Sequence, residues 1–189
     1  MALILASTSA IRRQLLEAAG VEHQALPPAV DEDALKIGLS GASTIAARLA
    51  AAKALSIAGE WVIGSDSVVS SGGRLFDKPR NRADAAAHLR AFSGKPMALS
   101  SAVAIARNGQ LDWEHCATAQ LHVRPLSDAF INDYLQAEWP AVGYTVGVFR
   151  LEGRGVQLFD RIEGDHFTIL GMPLLPLLGA LRERGLLLT

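Results

Sequence analysis

The stretch LILASTSAIRRQLLEAAG, residues 3–20, carries the pattern that decides the fold. The apolar run from Ala2 to Ala6 predicts a short buried strand, and Ser7-Thr8-Ser9 predicts a polar turn. Apolar residues at helical spacing through Leu16 then predict a helix that stops at Gly20. A strand, turn and helix in this order present backbone N–H groups and hydroxyls at a helix N-terminus, where anions are favoured.

Further helices and strands alternate along the chain. An Ala-rich helix is expected from about Ser43 to Ala58, followed by a buried strand from Trp61 that ends at Ser65-Asp66-Ser67, is continued by Val68-Val69, and reaches a hairpin turn at Gly72-Gly73. The other predicted elements are a helix over 81–92, strands over 97–106 and 111–123 joined by a turn at 108–109, a helix over 128–136 with Ser127 as N-cap, and a helix over 173–184. The sequence therefore predicts a mixed α/β fold, without an internal repeat.

Composition excludes several classes of protein. Half of the 189 residues are hydrophobic and the mean hydropathy is +0.22, which favours a packed core over disorder. With 18 Lys and Arg against 19 Asp and Glu, the chain lacks the basic field that nucleic-acid binding requires. Only 6% of the residues are aromatic, which also disfavours single-strand binding.

The single cysteine, Cys116, excludes an internal disulfide and a cysteine-cluster zinc site. This cysteine usage favours a reducing compartment. The first residues are too few and too polar for a signal peptide, and no segment has the length and hydrophobicity of a membrane span. We therefore expect a cytoplasmic protein.

Each polar cluster, taken alone, has both a structural and a functional interpretation. Asp66 at the end of an apolar strand is either a turn cap or a carboxylate in a cleft. Arg12 and Arg13 are either solvated helix charges or anion ligands, and Lys78 before Pro79 is either a turn lysine or a phosphate contact. The loop around Glu32 is either solvated or a source of oxygen ligands for a divalent cation.

Three segments in order remove much of this ambiguity. They are LILASTSAIRRQLLEAAG (3–20), VIGSDSVVSSGGRLFDKPRNRADAAAHLRAFSG (62–94) and GVFRLEGRGVQLFDRIEGDHFTILGMPL (147–174). Together they resemble the signature blocks of the Maf family of nucleoside triphosphate pyrophosphatases, and the resemblance extends from Leu3 to about Gly185. It implies one Maf-like domain over 1–189, in a mixed α/β fold related to that of inosine-triphosphate pyrophosphatases. It further implies a nucleotide cleft between two lobes, whose boundary the sequence does not assign, and a homodimer.

The resemblance also implies roles for individual residues. Asp66 matches the family's proton acceptor, and Glu32 matches an acidic residue expected to bind a divalent metal together with Asp66. The residues implied to contact phosphate are Ser7, Arg12, Arg13, Lys53 and Lys78. Those implied to set specificity are Ile11, Ser67 and Glu152.

The chain departs from the family pattern at several of these positions. Ile11 replaces an Arg or Trp, and Ser67 replaces a Thr; Asp77 stands where the family has Gly, and Phe149 where Tyr is common. Glu152 occupies a position that is Gln or Glu in the family. Because an ionised carboxylate only accepts hydrogen bonds, Glu152 suits the two donors of a guanine edge, and this favours 7-methyl-GTP slightly over UTP or dTTP.

Cleavage between the α- and β-phosphates requires neutralised phosphate charge, a positioned water and a proton acceptor. A Mg²⁺ or Mn²⁺ ion held by Asp66 and Glu32 would contribute to neutralising the phosphate charge. Asp66 is either a metal ligand or the base. A nucleotide-binding regulator of cell division without turnover is the alternative. Nucleic-acid binding is a second alternative, which the charge balance disfavours.

Overall fold

A computed structural model describes residues 3–188, so Ala2, the predicted start of the first strand, lies outside the described residues. The strands are β1 (Leu3–Ala6), β2 (Gln24–Leu26), β3 (Trp61–Ser71), β4 (Arg74–Phe76), β5 (Pro96–Arg107), β6 (Gln110–Val123) and β7 (Phe159–Glu163). The helices are α1 (Ala10–Ala18), α2 (Glu32–Lys36), α3 (Ala42–Leu55), α4 (Arg82–Phe92), α5 (Asp128–Glu138), α6 (His166–Ile169) and α7 (Leu174–Glu183). Among the residues described, no helix combines the length and hydrophobicity needed to cross a bilayer.

The strands form one mixed sheet with the order β2-β1-β3-β5-β6-β7, and β4 pairs with β3. Strand β1 runs parallel to both β2 and β3, with Leu3 opposite Trp61 and Ala6 opposite Gly64. Strands β3 and β4 are antiparallel, as are β6 and β7. The predicted mixed α/β fold is confirmed.

The chain divides into two compact units. The first contains the residues up to Ser67, Ser100–Ala117 and the residues from Asp165 onward, and the second contains Val68–Leu99 and Thr118–Gly164. The first unit has a continuous apolar core in which β1, β3 and β5 pack against α1 and α7; its fully buried members include Leu5, Leu16, Ile63, Val103, Ile105, Leu177 and Leu181. In the second unit the largest fully buried side chains are Phe92, Leu89, Met97, Leu121, Ile131, Tyr134 and Leu135.

Helix α3 lies directly against strand β3 in the first unit. A Cβ atom added at Gly64 would overlap the carbonyl oxygen of Ala50 and the backbone nitrogen of Ala54. The two backbones touch because the contact residues are glycine and alanine. This close approach places Lys53, which lies between Ala50 and Ala54 on α3, beside Asp66.

Most predicted elements form close to their predicted bounds. Gly72-Gly73 and Asn108-Gly109 adopt positive φ values and connect β3 to β4 and β5 to β6, as expected for two-residue turns. Helix α4 is capped by Asn81 and helix α5 by Ser127, whose side chain accepts from the backbone nitrogen of Phe130. These predictions are confirmed.

The structure differs from the sequence prediction in several elements. Strand β3 is continuous from Trp61 to Ser71, so Asp66 lies inside the strand and not at its end. The acidic segment expected to be a loop forms helix α2, with Asp31 as its N-cap. Helix α3 ends at Leu55 and not at Ala58, and the short strands β2 and β7 were not predicted. Polar residues interrupt the apolar pattern of β3, and this interruption made one strand resemble two.

We expect Gly64→Ala to lower the free energy of unfolding by about 1–3 kcal/mol or more, because the added methyl group forces α3 away from β3. Urea denaturation of the purified variant measures this change. Gly179→Ala, on helix α7 where a Cβ meets no neighbouring atom, is the control and should be neutral or stabilising by up to about 1 kcal/mol. Equal stability of the two variants would contradict the prediction.

Candidate active site

Parallel pairing of β1 and β3 brings two polar segments to the same level of the sheet. Because Ala6 pairs with Gly64, the turn beginning at Ser7 lies beside Ser65 and the residues that follow it. The turn hydroxyls are used locally: Ser7 Oγ accepts from the backbone nitrogen of Ser9 at 3.1 Å, and Ser9 caps helix α1. Ser7, a predicted phosphate ligand, is buried and therefore shapes the turn in this structure.

The central feature of the first unit is a buried ion-pair cluster. Lys53 Nζ lies 2.6 Å from Asp66 Oδ1 and 2.7 Å from Glu32 Oε1. Lys53 is 7% exposed and Asp66 is 8% exposed, so each charge is largely removed from water. An ammonium at this depth requires compensating charge, and the carboxylates of Asp66 and Glu32 provide it.

This geometry assigns Lys53 a direct contact that its sequence pattern did not indicate. Lys53 was implied as a phosphate ligand, and its ammonium donates to both predicted metal-binding carboxylates. Asp66 Oδ2 accepts no hydrogen bond from any residue that the structure describes, and it remains available to a water molecule or a cation. The position between Asp66 Oδ1 and Glu32 Oε1 is occupied by Lys53 Nζ, and carboxylate oxygens such as Asp66 Oδ2 are the donor type that Mg²⁺ and Mn²⁺ prefer.

Arg12 holds the strand on either side of Asp66. Its Nη1 donates to the carbonyl of Ser65 at 2.8 Å, its Nη2 donates to Ser67 Oγ at 3.1 Å, and its Nε donates to the carbonyl of Gly171 at 2.9 Å. Burial lowers the pKa of the Arg12 guanidinium, whereas the charges of Asp66 and Glu32 act in the opposite direction. Three of its five N–H donors are thus engaged by the protein itself.

Ser67, a predicted specificity residue, belongs to a chain of hydroxyl hydrogen bonds. Ser101 Oγ donates to the carbonyl of Thr168 at 2.8 Å, so its single hydrogen is used there. The 2.8 Å contact between Ser67 and Ser101 must then be donated by Ser67. Ser67 accepts from Arg12, and its orientation is therefore determined by its neighbours.

Gly171 completes this arrangement. Its φ of +100° is accessible to glycine, and its carbonyl accepts from Arg12 Nε. Ser65 Oγ lies 3.0 Å from the same carbonyl and 2.8 Å from that of Ala102, so its single hydrogen is shared between the two acceptors. A Cβ atom here would lie 3.3 Å from Ser67 Oγ. The conformation of this loop is thus coupled to the position of the Asp66 segment.

Two further predicted residues lie on helix α1. Arg13 is exposed, and its guanidinium makes no recorded hydrogen bond or ion pair within residues 3–188. It is accordingly free to meet an anion. Ile11 is half-buried at the start of the helix.

The remaining two predicted residues belong to the second unit. Lys78 is exposed two residues after strand β4. Glu152 is exposed in a turn in which Gly153 N–H donates to the carbonyl of Arg150 at 3.2 Å. Each is accessible to a ligand at its own place in that unit.

A family model described as "Maf-like protein" matches residues 2–184. The chain belongs to the Maf family.

Similar proteins cover almost the same length. The chain is 49% identical to a nucleoside triphosphate pyrophosphatase of Nitrobacter winogradskyi over 98% of this chain and 95% of that protein. It is also 49% identical to a 7-methyl-GTP pyrophosphatase of Rhizobium meliloti, over 97% and 96%. Among solved structures, a dITP/XTP pyrophosphatase from Mycobacterium abscessus is similar over 67% of this chain and 76% of that chain, with 18% identity and a TM-score of 0.39.

Sequence reasoning missed the residues that support the site. Ser65, Ser101 and Gly171 hold the strand and loops around Asp66, but no prediction gave them a role in the site. A detectable signal was present, because Ser100-Ser101 interrupts the apolar run from Met97 to Ala106, in which every residue except Ala98 is buried. Buried hydroxyls in such a strand need partners, which predicts a polar network nearby.

We expect Arg12→Lys to lower the free energy of unfolding by about 1–3 kcal/mol, because one ammonium cannot reach the two carbonyls and the hydroxyl that Arg12 binds. Urea denaturation measures the change. Arg48→Lys is the matched control, since Arg48 is exposed on helix α3. A loss no larger than that of the control would show that the Arg12 contacts do not stabilise the fold.

Proposed function

We propose that this Maf family protein hydrolyses a nucleoside triphosphate to the monophosphate and diphosphate, and that it removes non-standard nucleotides. The observation that carries the proposal is the buried carboxylate of Asp66, which is held by Lys53 and has one oxygen available. The names of the Nitrobacter and Rhizobium relatives support the reaction class.

In the proposed reaction Asp66 takes the proton from a water that attacks the α-phosphorus. The bond from that phosphorus to the oxygen bridging to the β-phosphate then breaks, and diphosphate leaves. Lys53 orients the Asp66 carboxylate through its 2.6 Å contact with Oδ1. Arg12 acts indirectly, because it holds the backbone at Ser65 and therefore the direction in which Asp66 projects.

Phosphate charge is met by exposed cations in this proposal. Arg13 presents an unengaged guanidinium at the start of helix α1, where the helix dipole adds positive potential. Lys78 presents an exposed ammonium in the second unit. Lys53 contributes positive charge while it remains paired to Asp66 and Glu32.

The proposal includes a divalent cation, Mg²⁺ or Mn²⁺, held by Asp66 and Glu32. No group of three or more His, Cys, Asp or Glu side chains suited to a metal occurs within the described part of the chain. Because Lys53 Nζ occupies the position between Asp66 Oδ1 and Glu32 Oε1, a Mg²⁺ ion would be held beside it by Asp66 Oδ2 and the Glu32 carboxylate, with its other ligands from phosphate and water. Such a cation would neutralise the charge on the phosphate oxygens.

We propose 7-methyl-GTP as the preferred substrate over UTP or dTTP. Glu152 is exposed, and its carboxylate can accept from both N1–H and the exocyclic amine of guanine. The positive charge of the methylated ring favours a carboxylate further. The name of the Rhizobium relative supports this choice.

We propose a homodimer in the cytoplasm that does not bind nucleic acid. The single cysteine, Cys116, supports a cytoplasmic location. The formal net charge of −1 supports the absence of nucleic-acid binding. Light scattering of the purified protein measures the oligomeric state.

The function is tested by diphosphate release from a panel of UTP, dTTP, CTP, GTP and 7-methyl-GTP, with Mg²⁺ or Mn²⁺ and with EDTA. We expect Asp66→Asn to lower kcat by about 10²-fold or more while nucleotide binding persists, because the amide keeps the shape but cannot accept a proton. Asp160→Asn, the same change at an exposed position of strand β7, is the control. Nucleotide binding by the wild-type protein without diphosphate release would favour a regulator instead.

We expect Glu152→Gln to shift the ratio of kcat/KM for 7-methyl-GTP over UTP toward UTP by roughly tenfold, if one charge-assisted hydrogen bond of about 1.5 kcal/mol is exchanged. Steady-state kinetics with both nucleotides measure the ratio. Glu114→Gln, an identical change at an exposed position of β6, should leave it unaltered. An unchanged ratio in Glu152→Gln would refute base recognition by Glu152.

A further inference from the structure

Helix α5 ends in a buried carboxylate that the proposed reaction does not use. The side chain of Glu138 is 8% exposed, although it is the last residue of the helix, where the helix dipole disfavours negative charge. A buried carboxylate at this position requires a cationic partner. The partner is Arg150, whose Nη2 and Nε donate to Glu138 Oε2 at 2.8 Å and 3.3 Å.

Arg150 is the first residue of the turn that carries Glu152. Its carbonyl accepts from Gly153 N–H, which closes the turn around Glu152. The chain then folds back onto Arg150 itself. A Cβ atom at Gly155 would overlap the Arg150 carbonyl oxygen and would lie 2.7 Å from its nitrogen. The position of Glu152 is therefore set by the backbone of Arg150.

The face of helix α5 that carries Glu138 also holds the segment around Val148, which precedes the Glu152 turn. Tyr134 lies one helical turn before Glu138, and its hydroxyl donates to the carbonyl of Val148 at 3.0 Å. Val148 has a φ of +59°, a conformation that is unfavourable for a β-branched residue and persists only where its surroundings impose it. Two side chains of one helix, Tyr134 and Glu138, thus hold the residues that lead into the turn.

Arg150 is also close enough to Glu152 for their charges to interact. The hydrogen bond that Arg150 donates to Glu138 is the main cause of its raised pKa, and the charge of Glu152 contributes in the same direction. Within residues 3–188, Arg150 makes no recorded hydrogen bond to Glu152. The contact with Glu138 holds Nε and Nη2 of Arg150, and the exposed carboxylate of Glu152 has no hydrogen bond or ion pair among residues 3–188.

We infer that Glu138 and Arg150 are positioning residues for nucleobase selection. Their ion pair fixes the Glu152 turn and keeps the guanidinium from neutralising Glu152. This inference rests on the proposed function, in which Glu152 accepts hydrogen bonds from the base. When the charge of Glu138 is removed, Arg150 is free to pair with Glu152, two residues further along the same turn.

The test is a double-mutant cycle with Glu138→Gln and Glu152→Gln, read as the ratio of kcat/KM for 7-methyl-GTP over UTP. Glutamine at position 138 keeps the volume and leaves a partly exposed Arg150, so this variant avoids an unpaired buried charge. We expect Glu138→Gln to move the ratio toward UTP, by no more than the roughly tenfold shift of Glu152→Gln. In the Glu152→Gln background, Glu138→Gln should cause no further shift.

Asp133→Asn is the matched control. Asp133 lies on the same helix and pairs with Arg154, next to the same turn, but that contact is 3.7 Å long and both side chains are more than half exposed. Asp133→Asn should leave the ratio of kcat/KM for 7-methyl-GTP over UTP unaltered. Arg150→Lys keeps the charge but loses the two-nitrogen contact with Glu138, and it should produce an intermediate shift. If Glu138→Gln fails to fold, Arg150→Lys takes its place in the double-mutant cycle with Glu152→Gln.

The outcomes separate the inference from the proposed function. If Glu152→Gln shifts the ratio and Glu138→Gln does not, the positioning role is wrong and base recognition by Glu152 stands. If Glu138→Gln lowers kcat/KM equally for both nucleotides in both backgrounds, the ion pair is only structural and the inference is again overturned. If Glu152→Gln leaves the ratio unchanged, or the wild type releases no diphosphate, the proposed function fails and the inference fails with it.

Discussion

The contact between helix α3 and strand β3 at Gly64 is the constraint on which the candidate site depends. Glycine on the strand and alanine at positions 50 and 54 of the helix let the two backbones touch. At that separation Lys53, which lies between Ala50 and Ala54 in the same turn of the helix, reaches Asp66. A larger residue at the contact would increase the separation and leave a buried ammonium and a buried carboxylate without each other.

A second cation holds the strand from another direction. Arg12 reaches from helix α1 to the backbone of Ser65 and to the hydroxyl of Ser67, on either side of Asp66. Lys53 therefore contacts the carboxylate itself, while Arg12 fixes the backbone that carries it. Such rigid support is useful in catalysis, because a proton acceptor that is already oriented requires no reorganisation when its substrate binds.

Local patterns were sufficient to predict much of the fold. The turn at Ser7 to Ser9 with helix α1, the two glycine-containing hairpin turns, and the Ser127 cap of α5 formed as expected, because each depends on neighbouring residues alone. Strands β2 and β7 were not predicted, since both are short and β2 has no fully buried residue. Asp66 was placed at a strand end because the Ser-Asp-Ser sequence interrupts the apolar pattern. The partners that satisfy those polar groups lie far away in sequence.

The sequence by itself determined the family, the mixed α/β class and the identity of the residues expected at the site, because these follow from residue types at short spacings and from three blocks in order. Only the tertiary structure decided what each charged group contacts. Arg12 meets Gly171, Lys53 meets Glu32, and Glu138 meets Arg150. The physical reason is that a buried ion pair or hydrogen bond is selected by three-dimensional proximity and desolvation, which sequence spacing does not encode.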